Sequence, residues 1–243
     1  MKTETVVLVT GANGGIGSAI CRKYLAAGAA VMAVDTRFEH LSAPSQMFQH
    51  FEADISDSAA CKLAIETCLE KFGTIDVLVN NAAAVTRGVD CTQLEEAEWD
   101  HAIDVNLKAA FLLSRHAIVA MRRRRSGVIV NIASQLGHVA AKGRIAYSVS
   151  KAGLIALTRA LAVDHAADGI RAVSVSPGSV MTGRLVDRYG DANAANDALA
   201  PKHPIGRIGT ADEIADFVMF VASEKAAFST GCDYLVDGGY TAV

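Results

Sequence analysis

Short apolar runs alternate with longer amphipathic stretches along the chain. Continuous apolar runs at 6–9, where most residues are β-branched, and at 30–34 predict strands that are buried on both faces, the pattern typical of parallel sheets. The amphipathic stretches between such runs predict helices. Further strands are predicted at 51–55, 76–79, 127–132, 170–175 and 234–236. Helices are predicted at 18–27, 57–72, 99–125, 147–167 and 211–222, with Asp57 as the cap and Gly73 as the stop of the second.

This alternation predicts an α/β protein: a single-domain Rossmann-type doubly wound parallel sheet, flanked by helices on both faces. We expect one domain over 1–243, since the composition shows no linker, repeat or low-complexity tract. Residues 1–178 form the core for binding and chemistry, and 207–243 close the fold. Residues 179–206, rich in Gly, Pro, Asn and Asp, predict an irregular substrate lid. A short helix is expected within 38–49.

Composition narrows the function classes. With 243 residues, 51% of them apolar, and a formal charge of −3, the chain gives no general reason to expect binding to nucleic acid or membranes. The basic run 122–125 is interpreted as a solvated helix end, with a polyanion site as the alternative. The five cysteines show no C-x-x-C pair or metal-ligand spacing, so we predict reduced thiols, no metal and a cytoplasmic location.

A glycine-rich turn links the first strand to the first helix. The residues Thr10 to Gly17 read T-G-A-N-G-G-I-G, with Gly11, Gly15 and Gly17 as the spaced glycines. Glycines let the backbone approach a phosphate, and the helix N-terminus favours an anion. A turn without ligand is the alternative.

An acidic residue ends the second strand, twenty positions after Gly15. Asp35 is placed to accept hydrogen bonds from an adenosine ribose, and its charge repels a 2′-phosphate. This favours NAD over NADP, although Arg37 could hold that phosphate. Gly11, Asp35, Asp54 and Asn81 each follow a predicted strand. Because the carboxyl ends of parallel strands share one sheet edge, these residues predict a common binding groove.

Tyr147 and Lys151 lie four residues apart, on one face of a predicted helix. A phenol titrates near pH ~10, and a fixed ammonium beside it lowers that value, which makes the pair a candidate for proton transfer. A surface pair is the alternative. Asn106 lies in the apolar setting Val105-Asn106-Leu107 of the helix 99–125 and needs partners. An asparagine that only distorts the helix, or is simply satisfied, is the alternative.

Together these motifs resemble those of the short-chain dehydrogenase/reductase family, over essentially the whole chain. The glycine turn, the segment Asn80-Asn81-Ala82-Ala83, Asn106, Ser134, the Tyr147–Lys151 pair and the segment 177–182 follow in the family's order. The chain departs at Ala83, where the family has glycine; we expect the extra methyl group to be tolerated.

The resemblance implies an NAD-dependent oxidoreductase acting on CH–OH groups. Tyr147 would be the general base or acid, Lys151 would lower its pKa and bind the nicotinamide ribose, and Ser134 would orient the substrate oxygen. Asn106 would hold a water that connects Lys151 to solvent. The implied cofactor-binding residues are Gly11, Asn13, Gly15, Ile16, Gly17, Asp35, Asp54, Ile55, Asn81, Tyr147, Lys151, Gly178, Val180 and Thr182. Family helices like 99–125 and 147–167 usually pair across subunits, which implies a homotetramer.

The substrate is the least constrained part of the prediction. The implied substrate-binding residues are Ser134, Arg144 and Tyr147, with Arg144 as a possible clamp for a carboxylate or, alternatively, a solvent-facing or interface arginine. The mixed lid favours a small polar substrate: a sugar, polyol or hydroxy acid. Rival functions are an NADP-dependent carbonyl or 3-ketoacyl-thioester reductase, a non-catalytic NAD-sensing regulator, and a structural oligomer component.

Overall fold

The computed structural model describes residues 5–39 and 41–243, and the fold is built around one parallel sheet. Its strands are β1 (Val6–Thr10), β2 (Ala30–Asp35), β3 (Phe48–Glu52), β4 (Val77–Asn80), β5 (Gly127–Ile132), β6 (Ile170–Pro177) and β9 (Asp233–Val236). They lie in the order β3-β2-β1-β4-β5-β6-β9, with every neighbouring pair parallel. The order reverses between β1 and β4, which confirms the doubly wound sheet and puts the switch point beside the glycine turn. The short strands β7 (Val180–Met181) and β8 (Gly209–Thr210) form a separate parallel pair.

Helices cover both faces of the sheet. They are α1 (Gly15–Ala26), α2 (Ser58–Phe72), α3 (Glu96–Ile103), α4 (Ala109–Arg124), α5 (Ile145–His165), α6 (Gly183–Tyr189), α7 (Ala192–Leu199) and α8 (Ala211–Ala222). Apolar residues of α1 and α8 pack on one face of the sheet, and those of α2, α4 and α5 pack on the other. Alternate residues of β1 divide between the two faces: Val9 packs with α1 and α8, and Leu8 packs with α2, α4 and α5, as period-2 alternation requires. Within the described residues, no helix has the length and apolar character needed to cross a bilayer.

Several local predictions are confirmed, because the signals behind them are strong and short-range. Strand β5 and helix α8 have the predicted bounds. The Asp57 carboxylate accepts a hydrogen bond from the Ala59 N–H and caps α2. Gly73 ends that helix in the left-handed conformation, at φ 77°.

Three predictions about segments are wrong. The third strand covers Phe48–Glu52 rather than 51–55: after Ala53, the Asp54 carboxylate accepts from the Ser56 N–H and turns the chain, while Ile55 is buried in the core. The described residues of 38–49 contain no helix. The sixth strand continues to Pro177, because the next N–H, that of Gly178, donates to the Val236 carbonyl and keeps the pairing with β9.

The lid and the helix 99–125 also differ from prediction. Helices α6 and α7 occupy most of 183–199, where an irregular segment was expected. Asp191 caps α7 through its side chain, which accepts from the Ala194 N–H. The helix 99–125 is interrupted by a π-helical turn at Asp104–Lys108, centred on Asn106. Such turns are frequent at functional sites.

The basic run lies at the end of α4, at the sheet edge opposite the glycine turn. Arg122 pairs with Asp168, Arg124 pairs with Asp76, and the Arg125 guanidinium donates to the Ala167 carbonyl. These contacts connect the end of α4 to the segments that precede β4 and β6. They favour the interpretation as a helix end over a polyanion site.

Candidate active site

The glycine turn forms a backbone cradle at the start of α1. The helix begins at Gly15, three residues earlier than predicted, and no side chain caps it at Gly14. The N–H groups of its first turn therefore lack intrahelical partners and remain available for an anion. A Cβ atom on Gly17 would lie 2.1 Å from the Gly11 carbonyl oxygen, and one on Gly15 would lie 2.6 Å from the Thr182 methyl group. The Gly11 carbonyl and the Thr182 side chain therefore lie too close to the start of α1 for any side chain at positions 15 and 17.

Thr10 and Asn81 hold this cradle against strand β4. The Thr10 hydroxyl accepts from the N–H groups of Asn81 and Ala82, at 3.0 and 3.1 Å. The Asn81 amide donates to the carbonyls of Thr10 and Gly11. Asn81 therefore fixes the glycine turn from the side of strand β4. Ala83 avoids positive φ, because Arg125 is the one non-glycine residue with positive φ in the described chain, so the extra methyl group fits there without backbone strain.

Asp35 lies at the end of β2, facing the turn. One carboxylate oxygen accepts from the Asn13 N–H and the other from the Thr36 N–H, both at 2.8 Å. Arg37, two residues on, lies beside Glu39, with 3.7 Å between the charged atoms. A negative charge therefore faces the position at which a ribose would be bound, and the nearest arginine already has an acidic neighbour.

A groove of about 970 Å³ runs along the carboxyl edge of the sheet and collects most of the predicted site residues. Its lining includes Gly11, Asn13, Gly15, Ile16, Gly17, Asp35, Asp54, Ile55, Asn81, Ser134, Tyr147, Lys151, Gly178, Val180 and Thr182. Two predicted residues, Asn106 and Arg144, lie outside that lining. The uncapped turn, the acidic strand end and the volume of the groove fit a dinucleotide.

Lys151 is buried in this groove at 2% exposure, and its Nζ donates to the Ile132 carbonyl of β5 at 2.6 Å. No carboxylate of the described residues lies within ion-pair distance of Nζ. Burial, and secondarily the charge of Arg184, lowers the pKa of Lys151 to about 7. The ammonium is therefore only partly protonated at neutral pH.

Tyr147 lies in the first turns of α5, with Lys151 Nζ 5.7 Å from its ring centroid. Burial raises the pKa of the Tyr147 phenol, while Arg184, a hydrogen bond from Ser134 and Arg144 each act to lower it. In the protein without cofactor, the Tyr147 phenol therefore keeps its proton at neutral pH. The phenolate expected from the Lys151 ammonium stays a prediction for the protein with an oxidised cofactor bound.

Ser134 follows β5 and is oriented by the backbone. Its Oγ accepts from the Leu136 N–H at 3.1 Å, so its own proton points elsewhere and can be donated. The serine is buried at 7% exposure and lines the groove. It can therefore donate to an oxygen held between itself and Tyr147.

Asn106 supports the catalytic helix from the π-helical turn. Its amide exchanges hydrogen bonds with the backbone of Ala84 and donates to the Ser150 hydroxyl at 3.0 Å. Ser150 in turn donates to the Tyr147 carbonyl. Both alternatives raised for Asn106 are therefore present, a distorted helix and a satisfied amide, and the water-mediated relay stays a prediction.

Arg184 is the main site residue whose role the sequence did not reveal. It lies on α6, lines the groove, and its Nη2 donates to the Ala83 carbonyl at 3.0 Å. The lid thus contacts the end of β4. A helical pattern within 183–189 would have been the signal, but seven residues are too short for periodicity to identify.

We expect the glycine cradle to tolerate no side chain at Gly17. Gly17→Ala should lower the free energy of unfolding by about 1–3 kcal/mol, because the new Cβ overlaps the Gly11 carbonyl. It should also weaken NADH binding by displacing the turn. Urea unfolding and NADH fluorescence titration measure the two effects. The matched control is Gly88→Ala, since a Cβ atom there meets nothing within 4 Å; equal effects in both variants would contradict the steric explanation.

Known proteins share both this sequence and this fold. A family model described as enoyl-(acyl carrier protein) reductase matches residues 11–241. The 2-(R)-hydroxypropyl-CoM dehydrogenase of Xanthobacter autotrophicus is 38% identical, over 98% of this chain and 99% of that protein. The D-threitol dehydrogenase of Mycolicibacterium smegmatis is 36% identical, over 97% and 92% of the two chains.

Solved structures of related proteins superpose on nearly the whole chain. The ligand-free aldohexose dehydrogenase of Thermoplasma acidophilum superposes with a TM-score of 0.92 at 32% identity, covering 99% of this chain and 95% of that one. A 4-hydroxyisoleucine dehydrogenase complexed with NADH gives 0.91 at 31% identity, with 99% and 100% coverage. ElxO with NADP bound gives 0.91 at 28% identity, with the same coverage. Both nicotinamide dinucleotides therefore occur among these neighbours.

Proposed function

Because the chain belongs to the short-chain dehydrogenase/reductase family of nicotinamide-dependent oxidoreductases, we propose that it transfers hydride between NAD(H) and the secondary alcohol or ketone of a small polar substrate. One observation carries the proposal: Ser134, Tyr147 and Lys151 share a wall of the groove that also contains the glycine turn and Asp35. The substrate class is a sugar, a polyol or a hydroxy acid. The relatives named for threitol, an aldohexose and a hydroxyisoleucine support it.

The side chains of this protein carry out the proton transfer that accompanies hydride transfer. A bound nicotinamide supplies the hydride acceptor or donor. In the oxidation direction, Tyr147 takes the substrate hydroxyl proton at Oη while the C–H bond of the same carbon breaks and the carbonyl forms. Ser134 donates a hydrogen bond to that oxygen as charge develops on it. Lys151 stabilises the phenolate from within the groove. Asn106 positions the Tyr147 helix through Ser150 and would hold the water that connects Lys151 to solvent.

The activity test follows from this assignment. Purified protein is assayed with NAD⁺ over sugars, polyols and hydroxy acids, and reduction is followed by NADH absorbance. We expect turnover with at least one of these classes. Binding of NADH without turnover on any alcohol or ketone would support the NAD-sensing regulator instead.

Asp35 is proposed to set the preference for NAD. Asp35→Ala should reduce the ratio of kcat/KM for NAD over NADP by about 10-fold or more, because repulsion of a 2′-phosphate disappears. Steady-state kinetics with both cofactors measures the ratio. Since Asp35 also accepts from Asn13, Asp35→Asn is the matched variant that keeps an acceptor and removes the charge. Equal ratios in wild type and Asp35→Asn would contradict the charge mechanism, and wild-type activity with NADP alone would overturn the NAD assignment.

An NADP-dependent carbonyl or ketoacyl-thioester reductase is the second candidate. The observation that favours it is Arg37, which lines the groove next to Asp35. The Glu39 carboxylate beside Arg37 and the Asp35 carboxylate both oppose a phosphate at this position.

A homotetramer in the cytoplasm completes the proposal. Apolar side chains remain exposed on helices α4 and α5, among them Phe111, Val119, Val149 and Val163. Contact between copies along these helices would cover them. Residues 179–206 act as the substrate lid.

A further inference from the structure

Three arginines lie on or next to the two helices α5 and α6, both of which contribute to the groove lining. Arg144 precedes Tyr147 by three residues and occupies the N-cap position of α5, where its side chain makes no capping hydrogen bond. Arg184 and Arg188 lie four residues apart on α6 and so share one face of that helix. The Arg184 side chain lines the groove and donates to the Ala83 carbonyl, whereas Arg144 and Arg188 lie outside the groove lining. The three positive charges outnumber the one carboxylate of α6, Asp187, which also lines the groove.

These arginines differ from the paired arginines elsewhere in the chain. Arg87, Arg122, Arg124 and Arg207 each contact a carboxylate at 2.5–2.9 Å. No ion pair among the described residues includes Arg144, Arg184 or Arg188.

Arg144 and Arg188 retain the most unused hydrogen-bonding capacity at the reacting end. The half-buried Arg144 makes one long contact, from Nη1 to the Thr86 carbonyl at 3.3 Å. The exposed Arg188 lies over its neighbour Tyr189, 5.4 Å from the ring centroid. Burial, followed by the charge of Arg188, lowers the pKa of Arg144. Two like charges held close together without a counterion raise the energy of the empty site, and an anion between them removes that repulsion.

We propose that Arg144 and Arg188 together bind the anionic group, a carboxylate or a sulfonate, of the alcohol whose hydroxyl proton Tyr147 takes. The inference rests on the proposed function and narrows its substrate class to acidic alcohols. A guanidinium presents parallel N–H donors that match the oxygens of either anion. Arg144 approaches from the catalytic helix and Arg188 from the lid, so the anion would also connect the lid to the core. Arg184 is not assigned to this anion clamp of Arg144 and Arg188, because its Nη2 already donates to the Ala83 carbonyl.

The test uses matched charged and neutral alcohols. 3-Hydroxybutyrate, 4-hydroxypentanoate and 5-hydroxyhexanoate vary the spacing between hydroxyl and anion, and each is compared with its methyl ester and with the sulfonate of the same length. We expect wild type to favour an anion over its neutral ester by about 100-fold or more in kcat/KM at the best spacing. The better of carboxylate and sulfonate identifies the anion.

Arginine variants then assign the preference to residues. Arg144→Ala and Arg188→Ala should each lower kcat/KM for the best anion by about 10–100-fold, chiefly through KM, and lower kcat/KM for the matched ester much less. Arg144→Ala should cost the ester some activity as well, because the Arg144 charge also lowers the pKa of Tyr147. The control is Arg123→Ala, an exposed arginine of the basic run at the opposite edge of the sheet. The double variant should lose less than the product of the single losses, since both residues hold one group.

Failure of this inference is distinguishable from failure of the proposed function. Equal kcat/KM for anions and esters at every spacing, or equal losses on both in the variants, would overturn the clamp while the dehydrogenase activity stands. Absence of turnover on every alcohol, charged or neutral, together with intact NADH binding would instead overturn the proposed function.

Discussion

Tyr147→Phe should lower kcat by about 10²–10⁴-fold, the range that general acid–base catalysis contributes, and leave NADH affinity unchanged. The substitution removes the one oxygen that we assign to proton transfer and retains the ring that packs in the groove. Burial raises the pKa of this phenol, so the proton acceptor must be generated as the pH rises. In wild type the oxidation rate should therefore increase with pH and the reduction rate should decrease. Stopped-flow kinetics in both directions measures these profiles.

The matched control for this prediction is Tyr24→Phe. Tyr24 is a buried tyrosine, packed between α1 and the sheet, and its hydroxyl has no hydrogen-bond partner within the described part of the chain. Removing that hydroxyl should leave kcat and the free energy of unfolding nearly unchanged. A Tyr147→Phe enzyme with near-wild-type rates would remove Tyr147 from the mechanism, and an equal loss in Tyr24→Phe would point to a folding defect.

Lys151→Met should abolish most activity and at the same time stabilise the cofactor-free protein. The folded-state pKa of Lys151 is about 7 and the ordinary value is 10.5. Between these values the unfolded chain binds more protons than the folded one, so this group's contribution to stability rises with pH. The destabilisation of the folded protein by the buried ammonium is complete below about pH 7 and disappears above about pH 10.5. Each pKa unit corresponds to about 1.4 kcal/mol, so the penalty is on the order of several kcal/mol.

Methionine fills the same volume without the charge, but it leaves the Ile132 carbonyl without its donor. We therefore expect a net gain of about 2–3 kcal/mol in the free energy of unfolding at pH 6–7, shrinking toward pH 10. Chemical unfolding over this pH range measures it. Lys62→Met, at an exposed lysine on α2, should change stability by less than about 0.5 kcal/mol. A Lys151→Met protein less stable than wild type at every pH would contradict the assigned cost of the buried ammonium.

Features of the fold that depend on a few adjacent residues could be predicted from the sequence. The glycine turn, the Asp57 cap and the Gly73 stop each depend on a few adjacent residues, and the sheet follows from apolar runs that no other arrangement buries as well. The convergence of Gly11, Asp35 and Asn81 on one edge followed from the parallel strands alone. The structure brings them to one groove.

Features that depend on tertiary contacts were not readable. The third strand was misplaced because Ile55 looks like a strand residue, whereas it is buried beyond a turn made by Asp54. The lid helices are too short for periodicity, and their Gly, Asn and Asp residues resemble a loop. The π-helical turn at Asn106 depends on hydrogen bonds to Ala84 and Ser150, which lie far away in the sequence. The raised pKa of Tyr147 depends on burial, which spacing does not report.

The distribution of arginines over the two edges of the sheet has a kinetic consequence. At the edge that holds the end of α4, Asp168 and Asp76 pair with two arginines of the basic run, Arg122 and Arg124. At the opposite edge, no ion pair within the described residues includes Arg144, Arg184 or Arg188, so these three charges act beside the unpaired carboxylates of the groove lining without being bound by them. An approaching anion is drawn toward the groove mouth before contact, which raises the association rate constant at low ionic strength. Dissolved salt shortens the reach of that attraction, so capture of an acidic alcohol should slow as salt is added, while capture of its ester should not.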